Sequence, residues 1–518
     1  MPPVDLDLVT KTLADGRSSL STRSEGDDIG LTLAWHADVD RVGARLRLRP
    51  GRTALSRTAP DFDGDGPLAD PYLSRKPITF TRASDTVTLD PGGHDNVEVD
   101  GAPLTAPRTF AAADIERGVV IVLADRVALL LGHIPLGAPE PPRFGIIGDS
   151  LAIRRLRAEI MLAAPVRAPV LVRGESGTGK ELVAGALHAA GPRSDGPIRV
   201  LNMAAIPAAT AASALFGHSR GAFTGADRDS PGYFGDADGG TLFLDEIGEL
   251  PDELQPMLLR AVETGEIQPV GARRARKVDV RLITATDAAL EAAVDEGRFR
   301  LPLLHRLAGI EVWLPPLRQR RDDIPRLLVH FLRAEFTTLG VTDRLAPTSL
   351  SARPWLGPAI VALLMRHAWP GNVRELANVA RQIALVGNTR SRVRASQVAV
   401  LARIAAGLGV ASDTGERITA DIDPSADEAP LTDTRMLEAL RAHNWSVNAA
   451  ARALGTAKIN IYRFIDRSPA LRKASEIPDD ELRAVHAACG GDLDAMSQRL
   501  QVSARALTFR LKELDPPL

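Results

Sequence analysis

The segment that most constrains this chain is Gly174-Glu-Ser-Gly-Thr-Gly-Lys180, which follows an apolar run at residues 169–172 and precedes a helical pattern. In a strand-loop-helix context, glycines let backbone N–H groups turn inward around phosphates at a helix N-terminus. Lys180 adds a positive charge for the β- and γ-phosphates. Glu181 stands where a Ser or Thr would normally contact magnesium, so that contact falls to water or to another residue. The residues predicted to hold a nucleotide are Gly174, Glu175, Ser176, Gly177, Thr178, Gly179, Lys180 and Glu181.

A second motif, Gly239-Gly-Thr-Leu-Phe-Leu-Asp245-Glu246, reads as an apolar strand that ends in two carboxylates. Asp245 is placed to organise Mg²⁺, and Glu246 to polarise an attacking water. Alone, a glycine loop could be a structural turn, and paired acids could be a solvated strand end. Both motifs in this order predict ATP and Mg²⁺ as cofactors and ATP hydrolysis as the reaction.

Length and composition restrict the other possibilities. At 518 residues the chain exceeds one core, since a domain takes roughly 150 residues. The net charge of −2 excludes a chain-wide basic surface, so any DNA binding must be local. The first 20 residues lack a basic segment leading into an apolar one, which predicts a cytoplasmic protein. With Cys489 as the single cysteine, disulfides and cysteine-rich zinc sites are excluded.

Two breaks in composition divide the chain, a Pro-rich segment at residues 135–142 and a Gly/Ser/Asp-rich stretch at residues 407–430. Short alternating apolar runs before the first break predict a β-sandwich. Between the breaks, apolar strands alternate with helical patterns, which predicts a parallel sheet covered by helices. After the second break, an internal repeat places Leu454 and Leu500 at equivalent positions 46 residues apart, which predicts two similar helical units.

The segment Gly221-Ala-Phe-Thr-Gly-Ala226 resembles the loop with which sigma-54-dependent transcription activators of the AAA+ superfamily contact the sigma factor. Glycines permit a tight mobile turn, and Phe223 and Thr224 would stand at its tip. The alternative is a buried turn with Phe223 in the core, but the surrounding Gly and polar residues offer little to bury it. The resemblance implies contact with sigma-54 through Gly221, Ala222, Phe223, Thr224, Gly225 and Ala226.

Other motifs within residues 144–405 agree with this resemblance. Asn202 matches the Asn that holds the catalytic Glu inactive until nucleotide is sensed. Asp287 stands in the first sensor, where the family usually has Asn, and Arg374 matches the second sensor. Arg300 and Arg306 match arginine fingers that reach a neighbouring subunit's ATP, which implies a ring, a hexamer in the family. Both arginines could instead be surface charges on a helix.

The C-terminal units resemble helix-turn-helix domains of the factor-for-inversion-stimulation type, which implies DNA binding. Their recognition helices are modestly basic. In either unit the alternative is a three-helix packing module, and the second unit could serve dimer contacts. The predicted DNA-binding residues are Thr456, Lys458, Asn460, Arg463, Arg467, Arg505 and Arg510.

The N-terminal region resembles a forkhead-associated domain, through Leu73-Ser-Arg-Lys-Pro77, an upstream Leu55-Ser-Arg-Thr58 and His94-Asp-Asn-Val-Glu-Val-Asp-Gly101. The resemblance implies recognition of phosphothreonine, since Arg–phosphate hydrogen bonds are charge-assisted. The alternative is a sandwich used only for protein contacts. The residues implied are Arg57, Ser74, Arg75 and Asn96.

The resulting fold class is multidomain: an N-terminal β-sandwich, a central α/β AAA+ P-loop ATPase with a helical lid, and C-terminal all-α helix-turn-helix units in tandem. Two competing functions are an AAA+ remodeller of another protein and a phosphopeptide-dependent DNA-binding repressor with a vestigial ATPase. The predicted boundaries are a tail at 1–26, the sandwich at 27–134, a linker at 135–143, the ATPase core at 144–323, the lid at 324–405, a linker at 406–430, and helix-turn-helix units at 431–470 and 471–518.

Overall fold

The structure is a computed structural model, and it describes residues 27–135, 140–345, 354–390, 392–408, 433–454, 461, 464–465, 468, 471–472 and 474–512. The chain divides into two compact units, Met1–Ser412 and Asp413–Leu518. In the part of the chain that is described, no helix is long and apolar enough to cross a membrane.

The N-terminal region is built of two antiparallel sheets, with strand orders β2-β1-β10-β9-β6-β7 and β3-β4-β5-β8. Apolar side chains from both sheets, such as Leu31 and Phe80, form one core. The prediction of a β-rich N-terminal region is therefore confirmed. The elements are β1 (Asp27–Trp35), β2 (Arg45–Arg47), β3 (Gly51–Leu55), β4 (Ile78–Ala83), β5 (Thr86–Asp90), β6 (Val97–Val99), β7 (Ala102–Pro103), β8 (Arg108–Phe110), α1 (Ala112–Arg117), β9 (Val119–Leu123) and β10 (Val127–Pro135).

An irregularity in β1 adds Trp35 to the second apolar face of the six-stranded sheet. Leu33 pairs with Leu129, but Trp35 pairs with Ala128, so the register shifts between them. Because side chains alternate along a strand, this shift turns Trp35 away from the face that holds Leu33. Leu33 lies in the sandwich core, whereas Trp35 lies in a different apolar cluster.

The ATPase core is a five-stranded parallel sheet with the order β12-β13-β16-β11-β17. Its fully buried strands are near-continuous apolar runs, as parallel sheets covered on both faces require. Parallel strands bring their carboxyl ends to one edge, where ligands bind in such sheets. The elements are α2 (Leu151–Ala163), β11 (Val170–Arg173), α3 (Lys180–Ala189), β12 (Ile198–Asn202), α4 (Ala208–Phe216), α5 (Gly232–Asp236), β13 (Thr241–Asp245), α6 (Gln255–Thr264), the hairpin β14 (Glu266–Ile267) and β15 (Arg276–Lys277), β16 (Arg281–Thr286), α7 (Leu290–Asp295), α8 (Leu301–Leu307) and β17 (Ile310–Trp313).

The lid is helical, as predicted, and it shares an apolar core with the outer face of the sandwich. Trp35, Val122 and Leu130 from the sheet join Leu328 and Val361 from the lid in one cluster. The Pro-rich segment therefore does not separate independent domains, because β1, β9 and β10 are covered on both faces. The helices are α9 (Ile324–Thr338), α10 (Pro358–Arg366), α11 (Asn372–Thr389) and α12 (Ala399–Gly407).

The C-terminal unit is helical where it is described. Its apolar residues form two clusters, one around Leu440 and Trp445 and one around Leu482 and Leu507. In the second cluster, a turn at Gln501 (φ 60°) joins α16 to α17. The helices are α13 (Asp433–Ala442), α14 (Val447–Ala453), α15 (Asp479–Ala488), α16 (Leu493–Leu500) and α17 (Ala504–Lys512).

Candidate functional site

The glycine-rich loop joins β11 to α3 at the carboxyl edge of the parallel sheet, as predicted. Gly177 has φ +77°, and a Cβ added there would lie 2.5 Å from the carbonyl oxygen of Gly371 in the lid. A side chain is thus excluded both by the backbone conformation and by the close approach of the lid. Lys180 begins α3, is buried, and donates from Nζ to the Gly174 carbonyl at 3.1 Å.

The two acidic residues lie beside this lysine. Asp245 ends β13 and is buried, and Glu246 follows it with φ +52°. Lys180 Nζ donates to Glu246 Oε1 at 3.3 Å. Burial raises the pKa of Glu246, and Asp287 and Asp245 raise it further, while Lys180 opposes them.

Asp245 fits the predicted magnesium role. Its Oδ1 atom is buried and has no hydrogen-bond partner among the described residues. A buried carboxylate oxygen without a partner is costly unless a cation or another donor binds it. Oxygen ligands and substrate phosphates are also what Mg²⁺ prefers.

Asn202 contacts a different acid from the one expected. Its Nδ2 donates to Asp245 Oδ2 at 3.2 Å, and its Oδ1 accepts the N–H of Ala204 at 2.9 Å. The reason is the register of β12 and β13, which pairs Asn202 with Asp245 directly. In this structure Asn202 therefore contacts Asp245, and its contact with Glu246 stays a prediction.

The remaining loop residues connect the loop to the lid. Glu175 binds Arg318 through both carboxylate oxygens at 2.6 and 2.8 Å, and it accepts from Asn372 at 3.1 Å. Arg318 and then Asn372 lower the pKa of Glu175 to about 2. Thr178 Oγ1 donates back to the Glu175 carbonyl at 2.7 Å, and the side chain of Glu181 is exposed on the first turn of α3.

Both predicted sensors lie close to the loop. Asp287 directly follows β16, and its charge acts on Glu246. Arg374, on the first turn of α11, donates to Ser176 Oγ at 3.1 Å. Sequence reasoning missed Arg318, whose only signal is its position directly before the lid.

Arg300 and Arg306 lie at the start of α8 and near its end. Both side chains are exposed, and neither guanidinium forms an ion pair or a hydrogen bond with another described residue. The helix is anchored beneath them by the buried Leu303 and Leu307, and the Arg300 N–H donates to Gln255 Oε1 at 2.8 Å. Both guanidinium groups are thus exposed to solvent on a helix that is anchored in the core. The structure does not bring them to the nucleotide loop of the same chain.

The loop at residues 221–226 projects from the ATPase core. Its base is closed by the Gly221 N–H, which donates to the Ala226 carbonyl at 2.8 Å, and Ala226 is buried. Phe223 is 47% exposed, and its ring lies against that of His218 at a centroid distance of 5.0 Å. Thr224 is exposed beside it. Phe223 is therefore an exposed aromatic residue on a short turn and not part of the core.

The N-terminal sheets form a cleft that is lined by three of the four residues predicted to bind phosphothreonine. Arg57, Ser74 and Asn96 line this sandwich cleft, whereas Arg75 lies outside its lining. Sequence reasoning missed Lys76 and His94, which also line it; His94 Nε2 lies 3.1 Å from the Lys76 carbonyl oxygen. The signal for Lys76 was its place two residues after Ser74.

Most of the predicted DNA-binding residues lie outside the described residues, namely Thr456, Lys458, Asn460, Arg463 and Arg467, together with the side chain of Arg505. Arg510 is described, and it forms an ion pair with Asp479 at 2.5 Å with only 20% of its side chain exposed. In this structure Arg510 is therefore paired with an acid of its own helical unit.

Comparisons with known proteins agree with this geometry. The family described as "Sigma-54 interaction domain" matches residues 146–313, and the family "AAA+ ATPase lid domain" matches residues 318–400. The transcriptional regulatory protein ZraR of Salmonella typhimurium is 40% identical over 333 residues, which cover 64% of this chain and 70% of that protein. The DNA-binding transcriptional regulator NtrC of Escherichia coli is 49% identical over 245 residues, 47% of this chain and 50% of that protein.

Other relatives are matched over a similar length. ZraR of Klebsiella oxytoca is 47% identical over 257 residues, so the chain spans 56% of its length. The chain thus spans little more than half of several curated relatives. A crystal structure of NtrX from Brucella abortus in complex with ATP is 30% identical over 62% of this chain and 68% of that chain, with a TM-score of 0.44, a likeness too distant to add to the assignment. On the sequence relatives and the two domain matches, the chain belongs to the family of AAA+ transcriptional regulators that carry a sigma-54 interaction domain on a P-loop ATPase fold.

Proposed function

We propose that the chain is an ATP-driven, sigma-54-dependent transcription activator, which hydrolyses ATP as a ring and remodels the closed complex of sigma-54 RNA polymerase. The observation that carries this proposal is the exposed Phe223 turn, which stands on the same core as the Lys180–Glu246 pair. An exposed aromatic at a glycine-framed tip favours contact with a protein partner.

The catalytic roles follow from the positions of the side chains. Lys180 and the N-terminus of α3 bind the phosphates. Bound Mg²⁺, held through Asp245, would supply positive charge against the phosphate oxygens. Glu246 accepts a proton from the attacking water, for which a partly buried carboxylate of raised pKa is suited.

Arg300 and Arg306 complete the site from a neighbouring subunit in this proposal. Their guanidinium groups are exposed on α8 and lack partners among the described residues, so they are available to a second copy of the chain. A guanidinium supplied in trans neutralises charge on the transferring phosphoryl group and accelerates hydrolysis by about 10³–10⁵. Hydrolysis then requires assembly.

In this proposal the C-terminal unit binds DNA and the N-terminal sandwich regulates the activator. DNA binding through the helical C-terminal unit is supported by the local basic residues of its sequence and by the likeness to NtrC, whose name describes a DNA-binding regulator. Recognition of a phosphothreonine-bearing protein is supported by Arg57, Ser74 and Lys76 around one cleft. A serine/threonine kinase would then supply the signal.

Binding of purified sigma-54 tests the proposal. The full chain with a non-hydrolysable ATP analogue is expected to retain sigma-54 on an affinity matrix, and the Phe223→Ala variant to lose it. The matched control is Leu385→Ala, because Leu385 is also an exposed apolar residue, at 53%, but lies on the lid helix α11. Equal retention by the wild type and both variants would remove the sigma-54 role of Phe223.

A further inference from the structure

Besides the contacts of α9 with Gly43 and Asp40, two polar contacts join the sandwich to the lid at one place. Trp35 Nε1 donates to the Leu356 carbonyl at 3.0 Å, and Arg392 donates to Asp125 Oδ2 at 3.0 Å. Both contacts end on one small part of the lid. Gly357 follows Leu356, and a Cβ added at Gly357 would lie 3.3 Å from Arg392 and 3.8 Å from Asp125. We call this part, Trp355–Gly357 with Arg392 and Val393, the lid platform.

The same two contacts lead back to the sandwich cleft. Asp125 follows Ala124, which lines the cleft and whose N–H donates to the Asn96 carbonyl at 2.8 Å. Both residues of this turn have positive φ, 52° and 49°. This left-handed turn connects β9 to β10 and joins the cleft-lining Ala124 directly to Asp125.

A second route starts on the opposite side of the cleft. Leu68 lines the cleft, and its carbonyl lies 2.9 Å from His36 Nε2. His36 is buried and directly follows Trp35. The next residue, Ala69, donates its N–H to the Arg57 carbonyl at 2.8 Å, so the residue predicted to bind phosphate is tied to this route.

The lid platform is also connected to the nucleotide loop. The N–H groups of Val373 and Arg374 donate to the Gly177 carbonyl at 3.0 and 3.3 Å, so the start of α11 rests on the loop. Near the other end of α11, a Cβ added at Gly387 would lie 2.9 Å from the Trp355 ring. Helix α11 therefore contacts the nucleotide loop at one end and the lid platform at the other.

We propose that ligand binding in the sandwich cleft and nucleotide binding at Gly174–Lys180 are coupled through α11 and the lid platform, so that each ligand changes the affinity of the other. This inference rests on the proposed function, because it takes ATP as the ligand of the loop and a phosphothreonine peptide as the ligand of the cleft. Coupling between binding sites is reciprocal, and it typically amounts to about 5–150-fold. Binding of nucleotide alone must then change the amide exchange of residues at the cleft.

Hydrogen exchange on the full chain tests the coupling with ATPγS as the only added ligand. Two amides report on the two routes, that of Ala124, which lines the cleft, and that of Ala69, which follows the cleft-lining Leu68. In the wild type, ATPγS is expected to slow exchange at residues 174–180 and to change exchange at both reporters by about fivefold or more.

The variant Trp35→Phe with Asp125→Gly removes both contacts. Phe keeps most of the ring but lacks the Nε1 donor, and Gly adopts the positive φ at position 125 without strain and has no acceptor for Arg392. We expect protection of the loop to persist and the response of both reporters to fall below about twofold. Each single variant should silence mainly its own route, so the test does not depend on the double variant. Thr88→Val is the matched control. It removes an exposed 2.8 Å hydrogen bond between Thr88 and Thr109, which both lie in the four-stranded sheet and not in the sheet that contacts the lid.

Three results would overturn the inference, and they are distinguishable. If ATPγS protects the loop but leaves Ala69 and Ala124 unchanged in the wild type, the sites are not coupled. If ATPγS fails to protect residues 174–180 at all, ATP binding is absent, and the proposed function fails together with the inference. A reporter response that survives in the double variant would exclude the lid platform as the route.

Discussion

Replacing Glu246 by Gln separates the two tasks of the nucleotide site. Gln keeps the size of Glu and places no new demand on the backbone, whose φ is +52° at this residue. It cannot accept the proton of an attacking water, and it removes the carboxylate that Lys180 contacts at 3.3 Å. We therefore expect hydrolysis and ATP affinity to change in opposite directions.

The magnitudes follow from the roles of the two side chains. A positioned general base contributes about 10²–10⁴ to rate, so turnover should fall by that factor, or roughly 3–5 kcal/mol in the barrier. Before ATP binds, Lys180 is engaged with Glu246, and the loss of a partly exposed ion pair is worth at most about 1 kcal/mol. Freed from that contact, Lys180 should bind ATP up to about fivefold more tightly.

Steady-state ATP turnover and equilibrium binding of a fluorescent ATP analogue measure the two effects on the same preparations. Glu249→Gln is the matched control, since Glu249 is an exposed acid three residues further along the same segment. Turnover within tenfold of the wild type, or a loss of nucleotide binding in Glu246→Gln, would refute the assignment of Glu246 as the base.

Three further predictions follow from the geometry. Arg306→Ala should lower turnover by about 10³ or more, and mixing it with Glu246→Gln chains should restore part of the activity, because each variant supplies what the other lacks; mixtures as inactive as the parents would argue against a shared site. Gly177→Ala should abolish nucleotide binding in a fluorescence titration and should lower the melting temperature, because an added Cβ would meet the Gly371 carbonyl at 2.5 Å; unchanged binding would contradict the close approach. Glu175→Gln should lower stability at pH 7 by about 1 kcal/mol, discounted because Glu175 is 42% exposed. Since folding lowers the pKa of Glu175 to about 2, this contribution is complete above about pH 4.5 and is lost between there and pH 2; a melting-temperature difference that does not shrink below pH 4.5 would contradict it.

The sequence predicted the parts of the site whose chemistry is local. The loop at Gly174–Lys180, the acids at the end of β13 and the turn at Phe223 are each continuous in the chain, and their side chains are placed by the adjacent strand or glycine. The acid that Asn202 contacts in this structure, Asp245, depends on the register of two strands, which the residue pattern alone does not reveal. Arg510 likewise forms an ion pair with Asp479, 31 residues away, which the residue pattern does not reveal.

The docking of the sandwich on the lid was not predicted at all. Alternation along β1 places Leu31, Leu33 and Trp35 on one face, and only the register shift after Leu33 moves Trp35 to the other. The apolar residues on both faces of β9 are equally compatible with a strand buried within one domain. The Pro-rich segment suggested a separating linker, whereas contacts between residues far apart in the sequence decide the arrangement.

Promoter opening by purified sigma-54 RNA polymerase tests the central claim most directly. The account predicts that the full chain with hydrolysable ATP converts closed complexes at a sigma-54 promoter to open ones, that Phe223→Ala abolishes the conversion while retaining ATP turnover, and that the chain has no effect on polymerase carrying the primary sigma factor. An ATPase-active chain that opens no sigma-54 promoter, or that opens it equally well with Phe223→Ala, would contradict the account.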